Sequence, residues 1–389
     1  MEILHHHLWP VWRKHALEAL YSSVGLAYLA ESLIGLFVPI YLHQIGYSLP
    51  KILFFFLLSS FYFLIFLKVG VDSVIEWGIR GCMLLSIPFL VAYYLGLRFL
   101  EAYPLLFWLL PLCLALRSVW FNFAFHLYFI EHSDRKKRGE EVSNVYSVIH
   151  VAALLGPAVG GWILGWSSWG ILFGLGSVLL ILSVLPLFKI PEKKLRLDFN
   201  YRDLWRDFMN PKNGGCVASF MGYAVESFLD RIVWPVLLIM LLLTPEKVGF
   251  LVSLSLLSSI AILHMSGWWA DHGLRLKLLS WFSYLYSLGW LLRLIVKSGW
   301  NVWIVDSFKN MNWQGLTVSW SAYNYDVAGK HFFRFIVFRE MVFNLARVIL
   351  IPMVILVIHF EKGAGAALII GAVFSVLYSS MSAYHPTLK

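Results

Sequence analysis

Charged side chains stand inside the most apolar stretches of this chain. Glu31, Arg117, Glu226, Asp230, Asp306 and Lys309 each lie within a long hydrophobic run. A charge near the centre of a bilayer costs roughly 2.5–3.5 kcal/mol on insertion scales, so such residues are candidates for work on protons, ions or charged groups. Tyr223, Glu226 and Asp230 share one helical face at i, i+3, i+7. Two carboxylates at i, i+4 repel when both are ionised, which raises the proton affinity of one and suits it to carry a proton. Arg231 is the alternative partner for Asp230. Asp306 and Lys309, at i, i+3, are expected to pair with each other. Trp313, Thr317 and Trp320 continue their stripe. Aromatic walls with a few polar fixing points describe a small-molecule site, and core packing is the competing explanation.

Other polar groups give weaker signals. Asn122 and His126 lie on a face roughly opposite Arg117, so one group is expected toward a cavity and the other toward a neighbouring helix. His126 then serves either as a proton relay or as an interhelical hydrogen-bond partner. Arg339, Glu340, Asn344 and Arg347 occupy the first part of a later run. A membrane-embedded enzyme would need a histidine–acid constellation. The available spacings are His126 with Glu131 and His264 with Asp271, neither supported by a second motif. No Walker loop drives primary transport. Cys82, Cys113 and Cys216 have no metal-ligand spacing and are expected to pack, and His5, His6 and His7 are expected at a solvated terminus. The expectation is no enzyme, no metal and no cofactor.

The elements that must hold these residues are transmembrane helices. The chain is 60% hydrophobic and 14% charged, against about a quarter charged in soluble domains, and its runs exceed the roughly 20 residues that cross a bilayer. Hydropathy gives twelve spans, near 16–42, 50–71, 79–99, 103–129, 142–166, 168–188, 215–242, 248–269, 276–296, 300–325, 332–358 and 363–384, the tenth heavily interrupted by polar residues. Basic residues alternate loop by loop: Arg13, Lys14, Lys68, Arg80, the 135–138 run and the 189–212 cluster fall on one side, with Arg275, Lys277, Lys330, Arg334 and Lys389. The other side holds only Lys51, Arg98, Lys247, Lys297 and Lys362. Under the positive-inside rule both termini are cytoplasmic and the net charge of +9 reflects orientation rather than nucleic-acid binding. No cleavable signal is expected at the N-terminus. Between spans six and seven, Tyr201, Leu204, Trp205 and Phe208 form one face of a short helix expected on the cytoplasmic membrane surface, with Arg202, Asp203, Arg206 and Asp207 on the other.

The chain repeats itself at an offset of 195. Glu76, Gly78 and Arg80 answer to Asp271, Gly273 and Arg275, Glu31 to Glu226, and Pro157 to Pro352. An even number of spans per repeat gives parallel repeats about an axis along the membrane normal. The expected fold is therefore all-α, twelve transmembrane helices in two parallel-related six-helix bundles. Residues 1–188 form the first bundle, 189–214 a cytoplasmic linker with the surface helix, and 215–389 the second. Glu31 and Glu226 are expected to face each other across the pseudo-axis.

This arrangement resembles the major facilitator superfamily over essentially the whole chain. Gly267, Asp271, Gly273, Arg275 and Lys277 follow the order of its loop signature, with one residue fewer between acid and glycine; Glu76, Gly78 and Arg80 are a more degraded copy. Its fifth-helix signature is intact as Gly156-Pro157-Ala158-Val159-Gly160-Gly161. The resemblance implies a secondary transporter working by alternating access, with spans one, four, seven and ten lining the cavity. Glu76, Gly78, Arg80, Gly267, Asp271, Gly273 and Arg275 become a cytoplasmic gate, and Gly156, Pro157, Gly160 and Gly161 a helix-packing motif associated with proton-coupled exporters. Arg117 keeps the arginine that such exporters carry in span four, with Trp120-Phe121 in place of the glutamine-glycine pair that follows it there. The expected partners are a small-molecule substrate, protons and membrane lipid, with no nucleic acid, in a monomer in the plasma membrane. Export of small organic or amphipathic compounds is the leading form; a proton symporter or uniporter importing sugars or other polar metabolites is the alternative, with a non-transporting scaffold behind both.

Overall fold

A computed structural model describes residues 2–132, 138–189, 199–242, 244–269, 275–328, 331–361 and 363–383. Among these residues every regular element is helical. The outer surface is apolar: Ile65, Leu105, Val178, Leu185 and Met353 are each more than half exposed. In water such a skin would be untenable, and in lipid it is the solvated face. Seven described helical stretches are long and apolar enough to span a bilayer. The chain is a multi-pass membrane protein.

The first half holds α1 (Glu2–Gly35), α2 (Phe37–Gln44), α3 (Leu49–Leu97), α4 (Leu106–His132), α5 (Arg138–Trp166), α6 (Trp169–Leu182) and α7 (Val184–Leu187). A short α8 (Tyr201–Met209) precedes the second half: α9 (Gly214–Leu242), α10 (Pro245–Leu257), α11 (Ile260–Trp269), α12 (Arg275–Leu292), α13 (Gly299–Ala328), α14 (Phe332–Glu361) and α15 (Gly365–Val376). Several predicted spans are broken in two: span one at Leu36, span six at Ser183 and span eight at Ser258–Ser259. The tenth, despite its polar residues, is the unbroken α13. Helix starts follow local chemistry. Pro50 lies in the first turn of α3, and Thr244 caps α10 with its hydroxyl accepting from the Lys247 N–H at 3.4 Å, with Pro245 next in line.

Spans two and three, predicted as separate helices joined by a loop, form one helical run. At about 1.5 Å per residue a straight helix of this length would reach roughly 70 Å, over twice the hydrocarbon thickness. It does not run straight. Gly78 has φ 83 and ψ 177, a conformation open essentially to glycine alone, and the chain reverses there. Both limbs return to the same end of α4: Phe54 stacks on Phe107 at 6.4 Å, and Gly96 abuts Leu110. The expected gate loop is thus a single non-helical residue.

Helices of the first half pack on one another, α1 against α5 and α6, α3 against α4. The second half repeats this with α9, α12, α13 and α15. Between halves, α5 lies along α10 and α3 along α14. The Gly156–Gly161 stretch makes both kinds of contact. A Cβ on Gly156 would meet Ser32 and Leu33 of α1, and one on Gly160 would meet Leu33 and Phe37. On the far side a Cβ on Gly161 would lie 3.0 Å from the Pro245 carbonyl, and one on Gly249 of α10 would strike the carbonyl of Pro157. Backbones here approach as closely as small residues permit.

Candidate functional site

The second half encloses a charged cluster. Arg293, just beyond α12, donates from Nη1 to Asp230 Oδ1 at 2.6 Å and from Nε and Nη2 to Asp306 Oδ1 at 3.0 and 2.9 Å. Lys309 Nζ also reaches Asp230 Oδ1, at 2.9 Å, and the Trp234 indole donates to Asp306 Oδ2 at 2.8 Å. Asp306 and Lys309 therefore do not pair with each other, against the sequence expectation. Each has a better partner on a neighbouring helix, and Arg293, which links the two acids, is the residue that sequence reasoning missed. It sits close to the end of an apolar run, where an arginine reads as an interfacial flank. Arg231 does not neutralise Asp230 either, since Asp230 already holds two cations.

Glu226 lies beside this cluster without a cation bonded to it. Its carboxylate accepts from Tyr286 Oη at 2.6 Å, Trp290 Nε1 at 3.0 Å and Tyr378 Oη at 3.0 Å. It is turned into its own half, so the expected face-to-face arrangement with Glu31 across the pseudo-axis is not formed. Tyr223, one turn earlier on α9, stacks on Trp320 at 5.2 Å and on Trp313 at 6.4 Å. Trp320 donates to Ser219 at 2.9 Å, while Thr317 Oγ1 is buried with no partner among the described residues. The aromatic stripe of α13 is largely the interior of the second half.

In the first half, Glu31 of α1 and Arg117 of α4 form an ion pair. The guanidinium also lies 4.2 Å from the centroid of the Phe121 ring, and the Glu31 side chain is 28% exposed. Asn122 and His126, on the opposite face of α4, meet α14 of the other half. Asn122 Nδ2 donates to Glu340 at 3.2 Å, and Arg339 Nη2 lies 2.7 Å from His126 Nε2. Arginine only donates, so His126 accepts at Nε2 and is neutral with its proton on Nδ1. Arg339 also bonds Glu340 at 2.9 Å. A recess of about 70 Å³ opens between Ser59, Asn122, Glu340, Asn344 and Arg347. Ligand pockets are several times larger. A second polar contact joins the halves at His150 of α5, 2.9 Å from Gln314 and 3.4 Å from Ser259.

At the face of the bundle that carries α8, the gate residues are only partly within view. Gly78 makes the helix reversal; Glu76 is exposed and Arg80 half-buried. Asp271 and Gly273 lie outside the described residues. Gly267 and Arg275 belong to α11 and α12, and their surroundings are outside them too. A different acid makes the contact here. Tyr201 of α8 donates to Asp72 of α3 at 2.7 Å. Burial and that hydrogen bond raise the phenol above its ordinary pKa, so it stays a donor. Arg334 of α14 grips Asp207 of α8. On the surface helix Leu204 and Asp207 are buried and Trp205 is exposed. No group of metal-ligating side chains occurs among the described residues, and the three cysteines form no disulfide.

No protein-family model and no curated protein matches the chain. A crystal structure of a D-xylose-proton symporter matches with a TM-score of 0.69, over 92% of this chain and 95% of that one. The chain has the major facilitator fold. At 13% identity the likeness is one of fold. The first half keeps the Glu31–Arg117 pair partly open, and in the second half Arg293, Lys309 and Asp306 are buried while the Asp230 side chain is 32% exposed.

Proposed function

We propose that the chain is a secondary transporter of the major facilitator superfamily, not an enzyme, and that it couples proton movement to a small solute by alternating access. The observation that carries this reading is the Glu31–Arg117 pair. It joins two helices inside the first half, is partly open to water, and a proton on Glu31 would release Arg117. Residues 1–188 and 215–389 are the two rocking bundles, with 189–214 as the cytoplasmic linker. Both termini are cytoplasmic, in the plasma membrane of a monomer. The polar contacts of Asn122 and His126 with Arg339 and Glu340 separate when the halves part. Glu76, Gly78, Arg80, Gly267, Asp271, Gly273 and Arg275 form the cytoplasmic gate.

Symport is the direction we favour, because the structural neighbour is a proton symporter. Export is the second reading, supported by the intact Gly156–Gly161 motif and its double packing role. Proteoliposomes of known orientation decide between them. Solute accumulation driven by an acidic cytoplasm-distal side means symport, and accumulation driven by the opposite gradient means antiport. Absence of counterflow for every solute class tried would retire the transporter reading.

A further inference from the structure

Charge pairing within the bundle interior leaves two arginines over. Arg117 is taken by Glu31, Arg339 by Glu340, and Arg293 with Lys309 by Asp230 and Asp306. Arg231 and Arg347 bond no carboxylate among the described residues. Arg347 donates to the Ala224 carbonyl at 3.1 Å and approaches Ser227 Oγ at 3.4 Å. Arg231 forms no hydrogen bond or ion pair with a described residue. Its side chain is exposed, yet Tyr223 and Asp230 on its own helix and Tyr28 and Glu31 on α1 of the other half act on it electrostatically. An exposed arginine so surrounded faces a wet cleft between the halves rather than lipid. Arg347 reaches α9 at Ala224 and Ser227, two turns and one turn before Arg231 on the same helix, and lines the recess.

We infer that Arg231 and Arg347 form an anion-binding site in the cleft, and that the transported solute is a small organic anion carrying a carboxylate or phosphate. Two guanidinium groups held near each other without a counter-ion are unfavourable in a low-dielectric interior. An anion between them relieves that repulsion, and the planar fork of each suits carboxylate or phosphate oxygens. The nearby acids are engaged elsewhere: Asp230 Oδ1 takes Arg293 and Lys309, Glu31 bonds Arg117, and Glu340, which lines the recess with Arg347, is held by Arg339 and Asn122. Glu226 points into the second half. The inference deepens the transporter reading and rests on it for the word "transported"; the binding site itself does not.

The test is thermal stabilisation of the purified full chain at matched ionic strength. The probes are succinate, inorganic phosphate and glucuronate, compared with xylose, tetraphenylphosphonium and phosphatidylglycerol micelles. At least one of the three soluble anions is expected to stabilise. Arg231→Gln is expected to weaken that response by about tenfold or more, since hydrogen bonds to charged groups are the stronger ones. Arg231→Lys should keep part of it and report that the fold is intact, and Lys297→Gln, at an exposed position outside the cleft, should keep all of it. Stabilisation by xylose, the cation or the anionic lipid alone overturns the inference, as does no response to any soluble anion or an equal response in Arg231→Gln. Counterflow in proteoliposomes separates the two claims. Arg231-dependent binding without counterflow keeps the site and removes the transporter, while counterflow of xylose without anion binding does the reverse.

Discussion

Arg334 of α14 holds the buried carboxylate of Asp207 in α8, with Nε 2.8 Å from one oxygen and Nη2 2.6 Å from the other. At the other end of the same short helix, Tyr201 bonds Asp72 of α3. Helix α8 therefore ties an element of the first half to one of the second. Asp207→Asn should weaken the tie at Arg334, leaving an incompletely paired arginine, and cost about 3 kcal/mol of stability. Detergent unfolding measures the cost. An accelerated opening at that face, read as faster cysteine labelling of the cleft, would identify α8 as a strap; unchanged labelling would leave it a passive anchor.

Glu31→Gln removes the titrating member of the Glu31–Arg117 pair while preserving its shape. Solute exchange should survive, and proton movement accompanying net transport should fall to background. A pH-sensitive dye inside proteoliposomes reads this directly. Undiminished proton movement would transfer the coupling role to another carboxylate, with Glu226 first in line.

The four-ion cluster of the second half should behave as a unit. Asp230→Asn leaves two buried cations sharing one acid and is expected to cost about 3–5 kcal/mol. Adding Lys309→Gln restores the charge count, so the double variant should lose less than the two single losses together. Additive losses would mean that the groups are independent.

Gly78→Ala places a Cβ in a backbone region that L-residues avoid, at a cost of about 1–3 kcal/mol. Gly81→Ala, three residues on and within regular helix, adds a Cβ whose nearest neighbour is 3.7 Å away and should be neutral or stabilising. Thermal melting of the two variants side by side checks the contrast.

What was legible in the sequence follows from what is one-dimensional. A bilayer demands long uninterrupted apolar runs, and the second half copies the first at a fixed offset, so the helices and their parallel relation could be read from residue order. Partner choice was not legible. Glu226 finds its donors 60, 64 and 152 positions away, and helical spacing describes only who meets on one helix. Asp306 and Lys309 stand at the correct spacing to pair, yet each takes a stronger partner across a helix interface. Arg293 was hidden by position, because basic residues near the ends of spans ordinarily report topology. The partner of Asp207 was hidden in the same way, because Arg334 lies 127 positions away on α14.

The reversal at Gly78 has a mechanical consequence. Two membrane-crossing limbs joined through one residue have no slack. Neither limb can tilt, slide or rotate by more than that residue's two torsions allow without carrying the other along. The front limb meets the second half at α14, and both limbs brace α4, which bears Arg117. A displacement of one limb therefore carries the other, and with it the contacts to α4 and α14.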